Sequence, residues 1–488
     1  MSHVARTLND WIFCTEAPKR NLKYAIFTTL ALFSLFAIGV LHWSFFINFG
    51  DVAGFHDWGE RYNYVNILRE SITTQTTPYI VPVGYYSSDR FMANLQVPLS
   101  PQILFTTVLR PDHFALFNVL LMYTLGFLGC LLIRRRYSLT LVPFTFLFLL
   151  FNFNGSITAH ISVGHPWLGY FLLPIFVLLI LELVQPHHVR RLGVSILLSL
   201  VLVAIVLQGS FHVFVWCALF LALLGLFNRQ LLSSTIFVLV STAFLGLFRF
   251  LPAIFFHGSE KPSYASGFPT FTTFIDALTT IKAFTFEHPR DSVIYDVSWH
   301  EHDMFIGYLG VAFIVFFGIY LRFHGLPDLQ RFRFRILDLP ILLVVLFSFG
   351  IVTDGISDLR IPMLSFAEQV PSRMFLLPLV FLVVLGSITM QDFLPRIQSS
   401  ATLRFLTLAA LLQLTHSLAA HSWFWRVTTP LERVYAYSHP TFDAPGSEDF
   451  LYTSALKISV AISLLFLVAL GSLFYWKVWR VRHDNPAT

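Results

Sequence analysis

The amino-acid sequence predicts an all-α, polytopic transmembrane helical protein with about twelve spans. Of its 488 residues, 56% are hydrophobic and only 12% are charged, whereas a soluble domain has roughly a quarter charged residues. The apolar residues also fall in long runs separated by short polar stretches. A helix needs roughly 20 mostly apolar residues to cross the hydrocarbon core, so these runs predict membrane spans.

The runs give the position of each predicted span. The first, Tyr24 to Phe49, is too long for a signal-peptide core and no small-residue cleavage site follows it, which predicts a retained signal anchor. The run at 139–153 is short, and we expect its helix to extend into the next loop. The predicted spans are 24–49, 113–133, 139–153, 166–184, 192–208, 211–227, 231–256, 304–321, 336–352, 374–391, 402–421 and 455–476.

Basic residues predict the orientation. Arg134, Arg135 and Arg136 end the second span, and Lys477, Arg480 and Arg482 follow the last, on the same side as the N-terminal tail. The positive-inside rule then predicts a cell inner (plasma) membrane protein with both termini cytoplasmic. Because topology explains the +5 net charge, we expect the lipid bilayer, and no nucleic acid, as a partner.

Acidic residues and long loops concentrate on the opposite side, which we therefore predict to be the active face. About 20 of the 27 Asp and Glu fall there, a bias that membrane insertion does not require. The predicted organisation is a tail (1–23), a transmembrane module (24–256) with a first outer loop at 50–112, an outer loop (257–303), a second transmembrane module (304–476) with an outer loop at 422–454, and a tail (477–488).

An amphipathic helix is predicted in the first outer loop, after Asp57, with Tyr62, Val65, Leu68 and Ile72 on one face and lying on the membrane surface. Asp57 has two interpretations. It fits the N-cap of this helix, with Glu60 three residues later completing a capping box. It also fits a general base that takes a proton from an incoming hydroxyl. Local chemistry alone favours the cap.

Two arginines stand out at predicted outer span ends. Arg249 lies late in the seventh apolar run, and Arg373 begins the tenth span. An ionisable residue within a span indicates function, although Arg249 also fits a side chain that snorkels to the surface. The guanidinium fork matches phosphate oxygens, so the pair is a candidate phosphate grip.

A polar cluster, His300-Glu301-His302-Asp303, precedes the eighth span. A divalent metal is compatible with these residue types, but the alternating spacing lacks the i, i+4 pattern of a helical zinc site, so metal is not predicted. We expect a polar contact or a supporting acid instead. His160 and His165 fall at interface depth and fit snorkelled groups. Asn154-Gly155-Ser156 fits a glycosylation acceptor, but at a span edge it has little weight.

Several short segments together resemble a known family. They are His56-Asp57-Trp58, Ala93-Asn94-Leu95-Gln96, Phe153-Asn154-Gly155-Ser156 through Gly164-His165, Glu301 through Gly307-Tyr308-Leu309-Gly310, and Pro371-Ser372-Arg373. In this order and on this side, they resemble the GT-C integral membrane glycosyltransferases, nearest the YfhO-like bacterial membrane proteins.

The resemblance implies a cell-envelope enzyme with a polyprenyl-phosphate sugar as donor and a glycan, lipid or cell-wall molecule as acceptor. It implies that Asp57 is the base of an inverting transfer, with Glu60 or Asp51 as substitutes. The implied donor-phosphate contacts are Arg249, Arg373 and His165, and the implied acceptor or supporting groups are Glu301, His302 and Asp51. Two alternatives stay open: a transporter or flippase for a lipid-linked glycan, and a non-catalytic subunit of a polysaccharide-assembly complex.

Overall fold

The protein is described here by a computed structural model. The structure describes residues 10–15, 21–47, 57–81, 90–164, 167–185, 188–256, 267–282, 293–294, 297–324, 334–357, 370–426 and 449–476.

The first half of the chain is helical in its described parts. It contains α1 (Leu22–Phe46), α2 (Trp58–Thr74), α3 (Pro111–Tyr137), α4 (Leu141–Asn152), α5 (Gly155–Ser162), α6 (Leu173–Leu183), α7 (His188–Leu207), α8 (Phe211–Phe227), α9 (Arg229–Leu245) and α10 (Leu247–Phe256). Short 3₁₀ turns lie at Phe91–Ala93, Pro101–Thr107 and Leu168–Leu172.

In its described residues, the second half contains a short hairpin among the helices, formed by β1 (Val293–Ile294) and β2 (Val297–Ser298), antiparallel with Val293 opposite Ser298. Its helices are α11 (Phe271–Thr279), α12 (Gly307–Phe313), α13 (Leu321–His324), α14 (Asp338–Phe347), α15 (Gly350–Ser357), α16 (Leu376–Ser399), α17 (Ala401–Phe424) and α18 (Phe450–Phe474). A π-helical segment, Ile314–Tyr320, joins α12 to α13, and 3₁₀ turns lie at Trp299–Glu301, Arg335–Leu337 and Pro371–Phe375.

The chain is a helical multi-pass membrane protein. In its described part, seven helices are long and apolar enough to cross a membrane, or eight if α9 and α10 form one span bent by 76°. The predicted spans at 166–184, 192–208 and 211–227 are apolar helices of only 10–17 residues. The predicted span at 336–352 divides into α14 and α15. Seven spans thus match the prediction, and the count of twelve remains a prediction.

Burial divides the helices into a centre and a periphery. The spans Leu141–Ser162 and Pro371–Ser399 are almost wholly covered by protein, whereas α1, α17 and α18 are largely uncovered. Large apolar side chains such as Phe33, Phe405 and Leu465 are exposed on these outer helices. Exposed apolar surface is stable against lipid tails, so α1, α17 and α18 have the composition of lipid-facing helices.

The predicted extension of the 139–153 helix is confirmed, with a break. The Asn154 side chain accepts from Ile157 N at 3.4 Å and donates to Leu150 O, Phe151 O and the Tyr170 hydroxyl. These bonds end α4 and begin α5, because the amide satisfies backbone groups on both sides of the break. Asn154 is fully buried, so this asparagine is not available as a glycosylation acceptor.

The predicted amphipathic helix is present as α2, but its apolar face does not lie on a membrane surface. Tyr64, Val65 and Leu68 are buried among side chains of the same loop and of α3, including Phe91, Val97, Ile103 and Phe114. The 3₁₀ turn at Pro101–Thr107 packs along it. The sequence pattern predicted the helix correctly. The predicted contact with the membrane surface is wrong, because apolar residues of the same loop and of α3 cover the apolar face of the helix.

Candidate functional site

Asp57 lies at the start of α2, half-buried, in the N-cap position. Its side chain makes no capping hydrogen bond. Its backbone N–H donates to Val163 O at 2.9 Å, and the Tyr64 hydroxyl donates to the Glu60 carboxylate. The predicted capping box is therefore wrong, because both groups that would close it have other partners.

The start of α2 is fixed against the end of α5. The Trp58 indole N–H donates to Ser162 O at 3.1 Å. Gly164 has φ +83°, and a Cβ there would lie 2.1 Å from Trp58 N. Only glycine tolerates both this conformation and this approach. The Asp57 segment is therefore held at a defined place on the helical bundle.

A buried ionic cluster packs against α5 and includes one of its residues. We call Glu301, Arg373, His160, His300 and Trp167 the Glu301 cluster. The Arg373 guanidinium makes a bidentate pair with the Glu301 carboxylate. His300 Nε2 lies 3.2 Å and His160 Nε2 3.5 Å from Glu301 oxygens. Trp167 stacks on the His160 ring and lies 4.9 Å from the guanidinium of Arg373. Two residues predicted in separate roles, Glu301 and Arg373, thus form one pair.

The surroundings determine the charge of this cluster. Burial alone would raise the pKa of Glu301, but Arg373, then His300 and His160, hold that pKa well below its ordinary value. Burial lowers the pKa of His302 to about 4, although the Glu301 charge acts in the opposite direction. Glu301 is therefore an ionised, paired carboxylate, and His302 is neutral at pH 7.

His302 is fully buried, and neither of its ring nitrogens has a hydrogen-bond partner among the described residues. Its ring lies against Phe268 and Trp299. It therefore occupies an aromatic environment beside the cluster rather than a polar contact surface.

The next residue, Asp303, accepts three hydrogen bonds. Its Oδ2 accepts from His421 Nε2 at 2.9 Å and from Trp425 Nε1 at 3.0 Å, and its Oδ1 accepts from Phe305 N at 3.0 Å. All four residues are buried. Asp303 therefore fastens the end of α17 to the segment before α12.

Arg249 is fully buried in α10 and binds the first loop (residues 50–112). Its guanidinium donates to Met92 O at 3.2 Å, Asn94 O at 2.8 Å and Val97 O at 2.9 Å. Snorkelling to the surface is therefore the wrong interpretation of this arginine. In the described residues Arg249 organises the first loop while Arg373 organises Glu301, so the two arginines serve different elements.

A cleft that opens to the surface lies beside the start of α2; we call it the α2 cleft. The first two turns of α3, the loop at Pro98 and the end of α7 form its other walls. Its lining is mixed: Trp58, Arg61, Tyr62, Val65, Pro98, Pro111, Asp112, Phe114, Ala115, Asn118, Val119, Leu168 and Gln208.

The α2 cleft and the Glu301 cluster are neighbours. Trp167 contacts His160 and Arg373, and the next residue, Leu168, lines the cleft. Asp57 immediately precedes Trp58, which also lines the cleft. Asp57 thus lies against Val163, just past the end of α5, and the Glu301–Arg373 pair lies against His160 of the same helix, with Glu60 one turn into α2.

Sequence reasoning missed several members of this region. His160 was interpreted as a snorkelled group, but it is fully buried and its Nδ1 donates to Ser156 O at 2.7 Å. Its position in an apolar run was the available signal. Trp167 and the amides lining the cleft gave no signal, since they belong to no recognisable spacing. Asp51 and His165 lie outside the described residues.

In the described ranges, no group of three or more His, Cys, Asp or Glu is arranged to hold a metal ion. Comparison of the chain with protein-family models, with curated proteins and with solved structures finds no match.

Proposed function

We propose that this protein is a membrane glycosyltransferase that transfers a sugar from a polyprenyl-phosphate-linked donor to a glycan, lipid or cell-wall acceptor on the non-cytoplasmic side. The observation that carries the proposal is the half-buried Asp57, which directly precedes Trp58 of the cleft lining and makes no capping hydrogen bond with its side chain. A positioned carboxylate at a mixed polar and apolar cleft is what a transfer between lipid-borne substrates needs.

In the proposed reaction, Asp57 takes the proton of the acceptor hydroxyl as the acceptor oxygen attacks the anomeric carbon of the donor sugar. The bond from that carbon to the phosphate oxygen breaks, and the polyprenyl phosphate leaves with the bonding electron pair. The configuration at the anomeric carbon inverts. The proton ends on Asp57, and one glycosidic bond replaces one sugar–phosphate bond.

Glu301 is the weaker candidate for the base. Its carboxylate already binds Arg373, and its pKa is held well below the ordinary value. A carboxylate so stabilised accepts a proton poorly near neutral pH. We assign Glu301 and Arg373 to shaping the wall beside the cleft. Glu60, which accepts from Tyr64, supports the start of α2.

The three predicted phosphate contacts differ in whether their hydrogen-bond donors are available to a phosphate. Each terminal nitrogen of Arg249 already donates to backbone carbonyls, so a phosphate would compete with the first loop for it. Arg373 is balanced by Glu301. We assign both arginines to building the site. His165 directly follows Gly164, which packs against Trp58, and it stays our candidate phosphate contact.

The test is a transfer assay in proteoliposomes with a panel of labelled polyprenyl-phosphate sugars and membrane-derived acceptors. We expect a new glycosidic bond with the wild-type protein and a loss of about 10²- to 10⁴-fold in Asp57→Asn. Glu70→Gln, a matched change later in α2, should retain transfer. Normal turnover by Asp57→Asn would remove the base assignment.

The bent α9–α10 pair favours one other function, because broken helices are typical of transporters. A flippase for a lipid-linked glycan would move labelled lipid across the proteoliposome membrane without a new glycosidic bond. That result, together with no transfer from any donor, would replace the glycosyltransferase proposal.

A further inference from the structure

Three carboxamides meet at the inner wall of the α2 cleft. Gln102 Nε2 donates to Asn118 Oδ1 at 3.0 Å and to Gln208 Oε1 at 2.9 Å. Asn118 and Gln208 line the cleft, from α3 and from the end of α7, and Gln102 lies behind them. Asn118 and Gln102 are buried. We call these residues the amide triad.

The triad has more hydrogen-bonding capacity than it uses. Three carboxamides carry six N–H donors, and the two bonds within the triad use two of them. Within the described ranges, the amide N–H groups of Asn118 and Gln208 make no hydrogen bond to the protein, and Asn118 Oδ1 and Gln208 Oε1 each accept only one. No atom of the triad is among the fully buried atoms that lack a partner in the described residues, so these amide groups are accessible from the open cleft, where they can hydrogen-bond a polar ligand.

The charges of the cleft exclude an anion as that ligand. Arg61 donates to Gln96 O at 2.5 Å and approaches Gln96 Oε1, so its charge is directed at the first loop. Asp112 adds a carboxylate to the lining, itself paired with Arg110. A phosphate needs donors and positive charge, whereas this wall offers neutral donors, a neutral acceptor and a carboxylate.

The remaining walls fit a ring with apolar faces and hydroxyl edges. Trp58 and Tyr62 line the cleft beside Val65 and Leu168. Aromatic rings give flat apolar surfaces, and amides pair with hydroxyls as both donors and acceptors. Next to α2, the Pro101–Thr107 turn exposes the apolar side chains Leu104 and Phe105, and Val108 follows it.

We infer that the α2 cleft binds the neutral, polyhydroxylated sugar ring of a glycolipid, with hydroxyls on the amide triad and the lipid chain leaving past Leu104, Phe105 and Val108. The inference rests on the proposed function for its substrate class. It locates the sugar rather than the phosphate, and it does not depend on Asp57 being the base.

The test is photoaffinity labelling of the full-length protein in nanodiscs with an alkyl glycoside that carries a diazirine on its sugar. We expect crosslinks on α2 and α3 residues of the cleft. The double variant Asn118→Leu, Gln208→Leu should lower labelling by about tenfold, since two hydrogen bonds to the sugar are lost. Gln413→Leu is the matched control, because Gln413 is an exposed amide of α17.

A second variant distinguishes the loss of ligand binding from a folding defect. Ala115→Phe fills the cleft and leaves the triad unchanged, and it should also abolish labelling while the protein keeps its thermal transition. Crosslinks outside the cleft, or labelling unchanged in both cleft variants, would overturn the inference. Competition by an alkyl phosphate as strong as by the unlabelled alkyl glycoside would overturn it as well.

The two proposals fail separately. Cleft labelling without sugar transfer from any donor would support the glycolipid site and contradict the enzyme. Sugar transfer that persists in Ala115→Phe would support the enzyme and contradict the site.

Discussion

The consecutive residues Trp167 and Leu168 connect the Glu301 cluster to the α2 cleft, yet the two regions use polar groups in opposite ways. In the cluster, a buried carboxylate meets a bidentate arginine and two histidines. In the cleft, neutral amides face open space with donors unfilled. A buried charge must be paired to be tolerated, whereas a binding wall must keep hydrogen-bonding capacity for its ligand. The comparison suggests that the cluster builds the framework and the cleft binds the substrate.

The largest expected effect comes from breaking the cluster. Arg373→Met leaves Glu301 as a buried, poorly compensated anion, so unfolding should become easier by about 3–5 kcal/mol. The double variant Arg373→Met, Glu301→Gln should recover part of this loss. Thermal unfolding in detergent measures both. A double variant as unstable as the sum of its single variants would contradict the pairing.

The second-largest expected effect is destabilisation by acid, through His302 and Glu301. The pKa of His302 is about 4 when folded and 6.5 when exposed, so the stability it contributes is present above pH 6.5 and lost as pH falls to 4. The expected loss is about 3 kcal/mol. Glu301, whose pKa is depressed, adds a loss that begins below its ordinary value of 4.5.

The measurement is the unfolding temperature from pH 7.5 to 4.5. His302→Gln should flatten the curve between pH 6.5 and 4.5, whereas His416→Gln, at an exposed histidine of α17, should follow the wild type. An unchanged slope in His302→Gln would show that another group titrates.

A smaller loss of stability is expected from removing Arg249, which binds the first loop. Arg249→Met leaves the carbonyls of Met92, Asn94 and Val97 without their charged donor, at a cost of about 2 kcal/mol. The first loop forms a wall of the cleft, so limited proteolysis should cut that loop faster in the variant. Equal rates of loop cleavage in variant and wild type would contradict a loop-holding role.

The smallest effect on stability belongs to the cleft. Asn118→Leu removes one hydrogen bond of the triad and should cost no more than about 1 kcal/mol, while it weakens glycoside labelling. If this variant were as unstable as Arg373→Met, the amide triad would be part of the framework and the contrast between the two regions would disappear.

The sequence predicted the long helices well, because an apolar run of more than 20 residues has few alternatives. The runs of α1, α3, α16, α17 and α18 became helices of spanning length. The extension of the 139–153 helix into α5 was predicted, but the break at Asn154 was not, since only tertiary contacts show that Asn154 ends one helix and begins the next.

The hydrogen-bond partners of the charged residues could not be predicted from the sequence. Arg249 and Arg373 looked alike at span ends, yet one binds loop carbonyls and the other a carboxylate. Asp57 and Glu60 had the spacing of a capping box, but Val163 and Tyr64 bind the groups that would close it. Spacing along the chain specifies a face of a helix and not the element that packs on it.

The central claim is that a sugar carried on a lipid reaches Asp57 through the α2 cleft. A density map of the protein in nanodiscs with a non-transferable polyprenyl-phosphonate sugar tests it most directly. We expect sugar density against Asn118 and Gln208, with the anomeric carbon facing the Asp57 side of the cleft. Sugar density elsewhere, with the α2 cleft empty, would contradict it.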